Sequence, residues 1–199
     1  MKRRAILSAL VVSVSLTACG VRLDAEPQSI PAGAIPTVSA PTSGAPSPTS
    51  AFGRVRVWFV QEDGLVPVIT DLPREPLVAP GNVLNALAAG PPLEQADAGV
   101  RSLVVDPITE QPLASVPVDA AVTPEGYVTV VLAPAASALP PGEQVLLLGQ
   151  LVLSLTGAGY PSVAFVDEAG APAAVPLPGG RLLDRPAVAR DYAGLIIEL

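Results

Sequence analysis

The sequence predicts an α+β domain over residues 52–199, with two helices packed on one face of a mainly antiparallel sheet. Three observations carry this. Short runs rich in β-branched and aromatic residues recur with turn residues between them. Two longer stretches repeat apolar residues at helical spacing. Their order, strand, strand, helix, strand, strand, helix, strand, is that of hairpins alternating with covering helices. About 145 residues suffice for one hydrophobic core.

The first strand is 55–60, Val-Arg-Val-Trp-Phe-Val. Glu62-Asp63-Gly64 is the turn, with Gly64 expected at positive φ. The return strand is 65–70, placed near an edge by Pro67, which has no amide to give a neighbour. Residues 80–89 read as a helix with Val83, Leu84 and Leu87 on one face, stopped by Gly90-Pro91-Pro92. Residues 93–99 add a helical turn, and 100–105 a short strand or extended segment. Strands at 115–122 and 127–132 are joined by Thr123-Pro124-Glu125-Gly126. In the second of them Val128, Val130 and Leu132 face the core.

Residues 142–156 form the strongest helix. Val145, Leu148, Val152 and Leu155 make an apolar stripe, widened by Leu147 and Leu151, and Glu143, Gln150 and Ser154 are placed on the opposite, polar side. A strand follows at 162–166, then turns at 168–170 and 178–180. Residues 186–192 read as a helical turn, with Asp184 as its N-cap.

Upstream of the domain the chain has another character. Lys2-Arg3-Arg4 precede an apolar run of about a dozen residues, the length of a signal-peptide core and too short to span a bilayer. Leu16-Thr17-Ala18-Cys19 ends that run and holds the chain's only cysteine. The pattern resembles the lipobox of bacterial lipoproteins, which implies cleavage before Cys19 and a diacylglycerol on its sulfur, with palmitate-type chains as the anchor. Two acyl chains, at roughly 0.8 kcal/mol per buried methylene, hold a protein stably on a membrane. The alternative is an ordinary secretory cut after Ala18, to which Leu16 is a poor fit. Residues 1–18 are then the signal, and 19–51 the lipidated cysteine and a Pro-, Ser-, Thr- and Ala-rich tether with too little apolar content to fold. Extended, such a tether reaches roughly 90 Å at about 3.1 Å per residue. Its Ser and Thr beside Pro are possible O-glycan acceptors.

The chain carries 11 basic and 18 acidic residues; loss of Lys2, Arg3 and Arg4 with the signal leaves eight basic residues, a formal −10. Nucleic acid is an unsuitable partner for such a charge. Abundant Ala, Pro and Gly, with Arg as almost the sole base, point to a GC-rich and actinobacterial source.

Four stretches resemble GerMN domains. They are 86–102 (Ala-Leu-Ala-Ala-Gly-Pro-Pro-Leu-Glu-Gln-Ala-Asp-Ala-Gly-Val-Arg-Ser), 149–156 (Gly-Gln-Leu-Val-Leu-Ser-Leu-Thr), Pro176-Leu-Pro-Gly-Gly180 and Arg190-Asp191-Tyr192. They fall in the family's order over roughly 54–193. The resemblance implies a fold similar to the ring-building motifs of secretion and sporulation assemblies, a role through protein–protein contact, and no catalytic set. The chain departs from the family's polar segment after the second hairpin, where it has Val130-Val131-Leu132-Ala133.

Chemistry is narrowed by what is missing. The chain has no histidine, which excludes Ser-His and Cys-His nucleophile systems and the usual zinc sites. Its only lysine is Lys2. No cofactor motif is present; Gly157-x-Gly159 follows a helix instead of opening one. The adjacent acids Asp167-Glu168 and Glu62-Asp63 read as solvated turn residues. Arg181, Asp184, Arg185, Arg190 and Asp191 form a mixed-charge cluster, read either as local ion pairs and caps or as a partner-binding patch. Trp58 is a binding anchor if exposed. The resulting expectation is a lipid-anchored envelope protein on the extracytoplasmic face, its domain docking an envelope partner or itself. The rival is a small-ligand or sensory accessory lipoprotein serving a transporter or a two-component system.

Overall fold

The computed structural model describes residues 51–75, 77–106, 108–117, 122–123 and 125–197. The expected signal peptide, lipobox, Cys19 and nearly all of the tether lie outside these residues, as do positions 118–121 of the strand expected at 115–122.

The domain begins with a hairpin of β1 (Ala51–Gln61) and β2 (Gly64–Arg74), paired in unbroken antiparallel register from Ala51 opposite Arg74 to Gln61 opposite Gly64. Val55, Val57, Phe59, Val66, Val68 and Leu72 turn one face into the core. The turn is two residues long, and the left-handed conformation falls on Glu62 (φ 50°), not on Gly64 as expected. Gly64 is needed for space: a Cβ there would stand 2.5 Å from Ile197 and 2.8 Å from the Leu195 carbonyl. Pro67 is at an edge, as its chemistry predicts. Val60 and Trp58 point their amides away from β2, so their cross-strand neighbours Leu65 and Pro67 point outward too. The amide that proline lacks is one that no strand would have used.

Helix α1 (Pro80–Ala89) matches its expected bounds, with Pro at its first turn, Gly90 at its end (φ 82°) and Val83, Leu84 and Leu87 buried. A single turn, α2 (Leu93–Ala96), follows. Residues 100–105 do not form a strand of their own. Arg101 pairs with Val60 through both backbone bonds at 2.8 Å, and Val105 bridges Pro112.

A second sheet has the order β3 (Ala114–Ser115), β4 (Val128–Leu132), β5 (Val163–Val166). β3 and β4 are antiparallel; β4 and β5 are parallel. The parallel pair requires a crossover, and the short α3 (Pro134–Ser137) and the long α4 (Pro141–Gly157) supply it. β6 (Val175–Pro176) and β7 (Leu182–Leu183) make a third small antiparallel pair. The chain then forms α5 (Ala189–Tyr192) and a 3-10 turn (Ala193–Leu195).

The α+β class and the mainly antiparallel pairing are as expected, but the strands fall into three small sheets. The outer edge of β1 shows why. Arg101 occupies it at Val60, and α4 meets it at Trp58 and Arg56. The Ser154 hydroxyl accepts the Trp58 amide, and Gly157 abuts the Arg56 carbonyl so closely that a Cβ would lie 2.7 Å from it.

Helix α4 is buried along the whole of 146–155. Gln150 and Ser154 are therefore not on a solvent face; both are fully buried. Gln150 Oε1 accepts the Leu103 amide at 2.9 Å, and its Nε2 donates to Ser102 Oγ at 3.3 Å. Each side chain meets a backbone amide that no strand pairs, which removes the cost of burying it. Of the three residues placed on the polar side, only Glu143 reaches solvent, where it pairs with Arg101 at 3.0 Å.

Candidate functional site

The mixed-charge cluster resolves into a clasp. Arg185 grips Asp191 through two bonds, Nη1 to Oδ2 at 3.0 Å and Nη2 to Oδ1 at 2.8 Å, and Nη1 also donates to the Pro186 carbonyl. Asp191 Oδ2 accepts the Val188 amide at 2.9 Å and so caps α5 from inside its first turn. The expected cap, Asp184, is exposed and acts on Arg185 only through charge. The bond from Arg185, and after burial's opposing effect the Val188 amide, hold the Asp191 carboxyl below the usual carboxylate range. Arg190 is exposed beside Asp191. Arg181 stands on the far side of β7 in an exposed turn, its carbonyl accepting the Leu177 amide at 2.8 Å. Arg185 and Asp191 thus fix the C-terminal segment.

Trp58 is 6 % exposed and Phe59 2 %. Both belong to the core, and Trp58 is not a projecting anchor. Its indole instead borders a groove on the second face of the hairpin. On β1 that face runs Phe52, Arg54, Arg56, Trp58, at every second position. Near the turn the face is covered; towards Ala51 it opens, leaving Phe52 67 % and Ile69 52 % exposed. Where the hairpin meets α4 and α5 the groove holds about 550 Å³, lined by Arg54, Arg56, Trp58, Ile69, Leu153 and Ile196 among others. Among the described residues neither arginine is in an ion pair, although Asp71 lies opposite Arg54 in the register. Composition alone did not reveal this face. The alternation from Phe52 to Trp58 was the available signal, and it becomes informative only once α4 is known to cover one half.

The paired acids are turn residues. Asp167 Oδ1 accepts the amides of Ala169 (2.9 Å) and Ala171 (2.8 Å), closing its own loop. Glu62 and Asp63 form the hairpin turn. Among the described residues no group of three or more Cys, Asp or Glu side chains is placed to hold a metal ion. A second hollow of about 380 Å³ lies on the outer face of β4 and β5, bordered by Tyr127, Thr129, Phe165 and Arg185.

No family model matches the chain, and no curated protein does. Among solved structures it is similar to the tandem GerMN domains of the sporulation protein GerM from Bacillus subtilis. The identity is 17 %, the TM-score 0.43, and the match covers 76 % of this chain and 50 % of that one. The chain therefore spans half the length of that protein.

The four stretches that resemble GerMN sequences meet around α4. Ser102 accepts from Gln150. Gly149 lets Tyr192 come close, since a Cβ there would be 3.3 Å from the ring and 2.7 Å from Leu195. The buried Tyr192 hydroxyl donates to the Pro176 carbonyl at 3.0 Å. These residues hold helix, hairpin and tail together.

Proposed function

We propose that this chain is a lipid-anchored envelope protein of the extracytoplasmic membrane face, attached through Cys19. Its 52–199 domain is a GerMN-like docking module of the sporulation or germination kind, performing no catalysis and binding an envelope protein or further copies of itself. The supporting observation is how the polar side chains are used. Inside the domain, Gln150, Ser154 and Tyr192 are committed to backbone groups. Among the accessible side chains, Phe52, Arg54, Arg56 and Ile69 make a basic and apolar face, with Asp71 opposite Arg54. Exposed apolar side chains beside arginine are the composition of protein-binding surfaces.

The test is a crosslinking pull-down of the lipidated protein from its native membrane, read by mass spectrometry. Enrichment of one envelope protein, or of the chain itself, is expected. Absence of any protein under conditions that capture a known complex contradicts the reading. It would favour the accessory small-ligand role, for which the hollow beside Tyr127, Phe165 and Arg185 is the place to look by native mass spectrometry.

A further inference from the structure

We propose that the hairpin groove receives an acidic, apolar segment of a protein partner, with carboxylates on Arg54 and Arg56 and apolar side chains on the floor made by Trp58, Ile69 and Leu153. This rests on the docking reading above and names the chemistry of what docks. Charge complementarity carries it. The chain is acidic, with 18 acids against 11 bases, yet the charged residues lining this groove are both arginines. The hollow on β4 and β5 carries Asp184 beside its arginine, and the one beneath the hairpin turn carries Glu62, Asp63 and Glu143 around Arg101. Arg54 and Arg56 are two residues apart on one strand face, a spacing of roughly 7 Å. Alternate side chains of an extended segment have that same spacing, so carboxylates at every second position reach both guanidinium groups. Neither guanidinium is in an ion pair among the described residues, although Asp71 lies opposite Arg54, and exposed planar guanidinium groups bind carboxylates in paired hydrogen bonds.

The edges of the hairpin leave little room for the simpler mode, addition of a strand. The outer edge of β1 is taken by Arg101 at Val60 and met by α4 at Trp58 and Arg56, and Pro67 and Pro73 interrupt that of β2 at outward-facing positions. Recognition therefore runs through side chains over the face. The concave floor suits a segment better than the flat surface of a bilayer.

Trp58 is the only tryptophan, so its fluorescence reports the groove directly. The full chain in detergent is used to select from a random-peptide library, and the enriched peptides are titrated against wild type and against Arg54→Gln with Arg56→Gln. The account expects peptides joining Asp or Glu to Leu, Ile or Phe, a shift of Trp58 emission on binding, and affinity about ten-fold lower in the double variant. An unchanged melting curve for that variant shows that the fold is intact, as the exposure of both arginines implies. Enrichment of basic or uncharged peptides, no enrichment, or undiminished binding by the double variant overturns the assignment. So does a Trp58 response to phosphatidylglycerol vesicles that the double variant loses while no peptide binds, which would make the face a membrane contact. A pull-down partner crosslinked to another face would overturn this site and leave the docking module standing.

Discussion

The hydroxyl of Ser154, in the middle of α4, accepts the backbone amide of Trp58 at 2.9 Å. One turn earlier on the same helix, Gln150 does the same for Leu103. Two polar side chains thus serve backbone groups that a further strand would otherwise have paired, and the hairpin ends against a helix. Ser154→Ala leaves a buried amide without an acceptor and is expected to cost about 1–3 kcal/mol. Gln150→Leu should cost a similar amount for the same reason. Urea denaturation of each variant measures both; losses below about 0.5 kcal/mol would mean that water or a shifted helix replaces the bond.

Gly149 marks the closest approach of α4 to the tail. Gly149→Val drives a branched side chain into Leu195 and Leu65, where even a Cβ falls within 2.9 Å of each. Overpacking of that kind costs about 1–3 kcal/mol or more, visible as a lowered melting temperature. Gly142 on the same helix has open space around it, so Gly142→Ala should leave the melting temperature almost unchanged.

These contacts also show what the sequence could and could not disclose. The bounds of α1 were legible because Pro80 and Gly90 punctuate them chemically. The hairpin was legible from its alternation, and Pro67 correctly marked an edge. Gln150 and Ser154 were misplaced because a helical wheel sorts residues by polarity and knows nothing of partners. The signal was nonetheless there: a run of Leu and Val all round a helix implies burial on every side, and polar residues within it must find partners inside. The groove was missed because the half of the face left open depends on where α4 lies, which no local pattern encodes. β3 is only Ala114–Ser115 among the described residues, although a longer strand was expected from β-branched content.

The clasp at α5 has a pH signature. Asp191 titrates below the usual carboxylate range, mainly because of its bonds from Arg185. Its folded value is depressed, so its contribution is complete above the unfolded value near ~3.9 and is lost as pH falls through the folded one. Asp191→Asn should therefore lower stability at neutral pH and flatten the acid limb below about pH 4. Equal acid limbs in wild type and variant, followed by circular dichroism, would mean that the clasp does not couple to folding.

At the alkaline end Tyr192 is the sensitive group. Burial, and then the charge of Asp191, push its phenol up beyond the ordinary range; burial raises Tyr160 as well. A raised folded value means that the contribution is intact below the unfolded value near ~10 and is lost as pH climbs towards the folded one. Stability should begin to fall above about pH 10, and Tyr192→Phe should flatten that decline. The same variant forfeits the bond to Pro176, at about 0.5–1.5 kcal/mol. Tyrosinate absorbance against pH, compared with the unfolding signal, tests both.

The intact mass of the protein extracted from its native membrane tests the proposed lipid tether directly. The account predicts a chain that begins at Cys19 and carries the added mass of a diacylglycerol, with Cys19→Ser leaving the signal uncut or the protein unattached. A chain cut after Ala18 with a free thiol, or one that still begins at Met1, would contradict it.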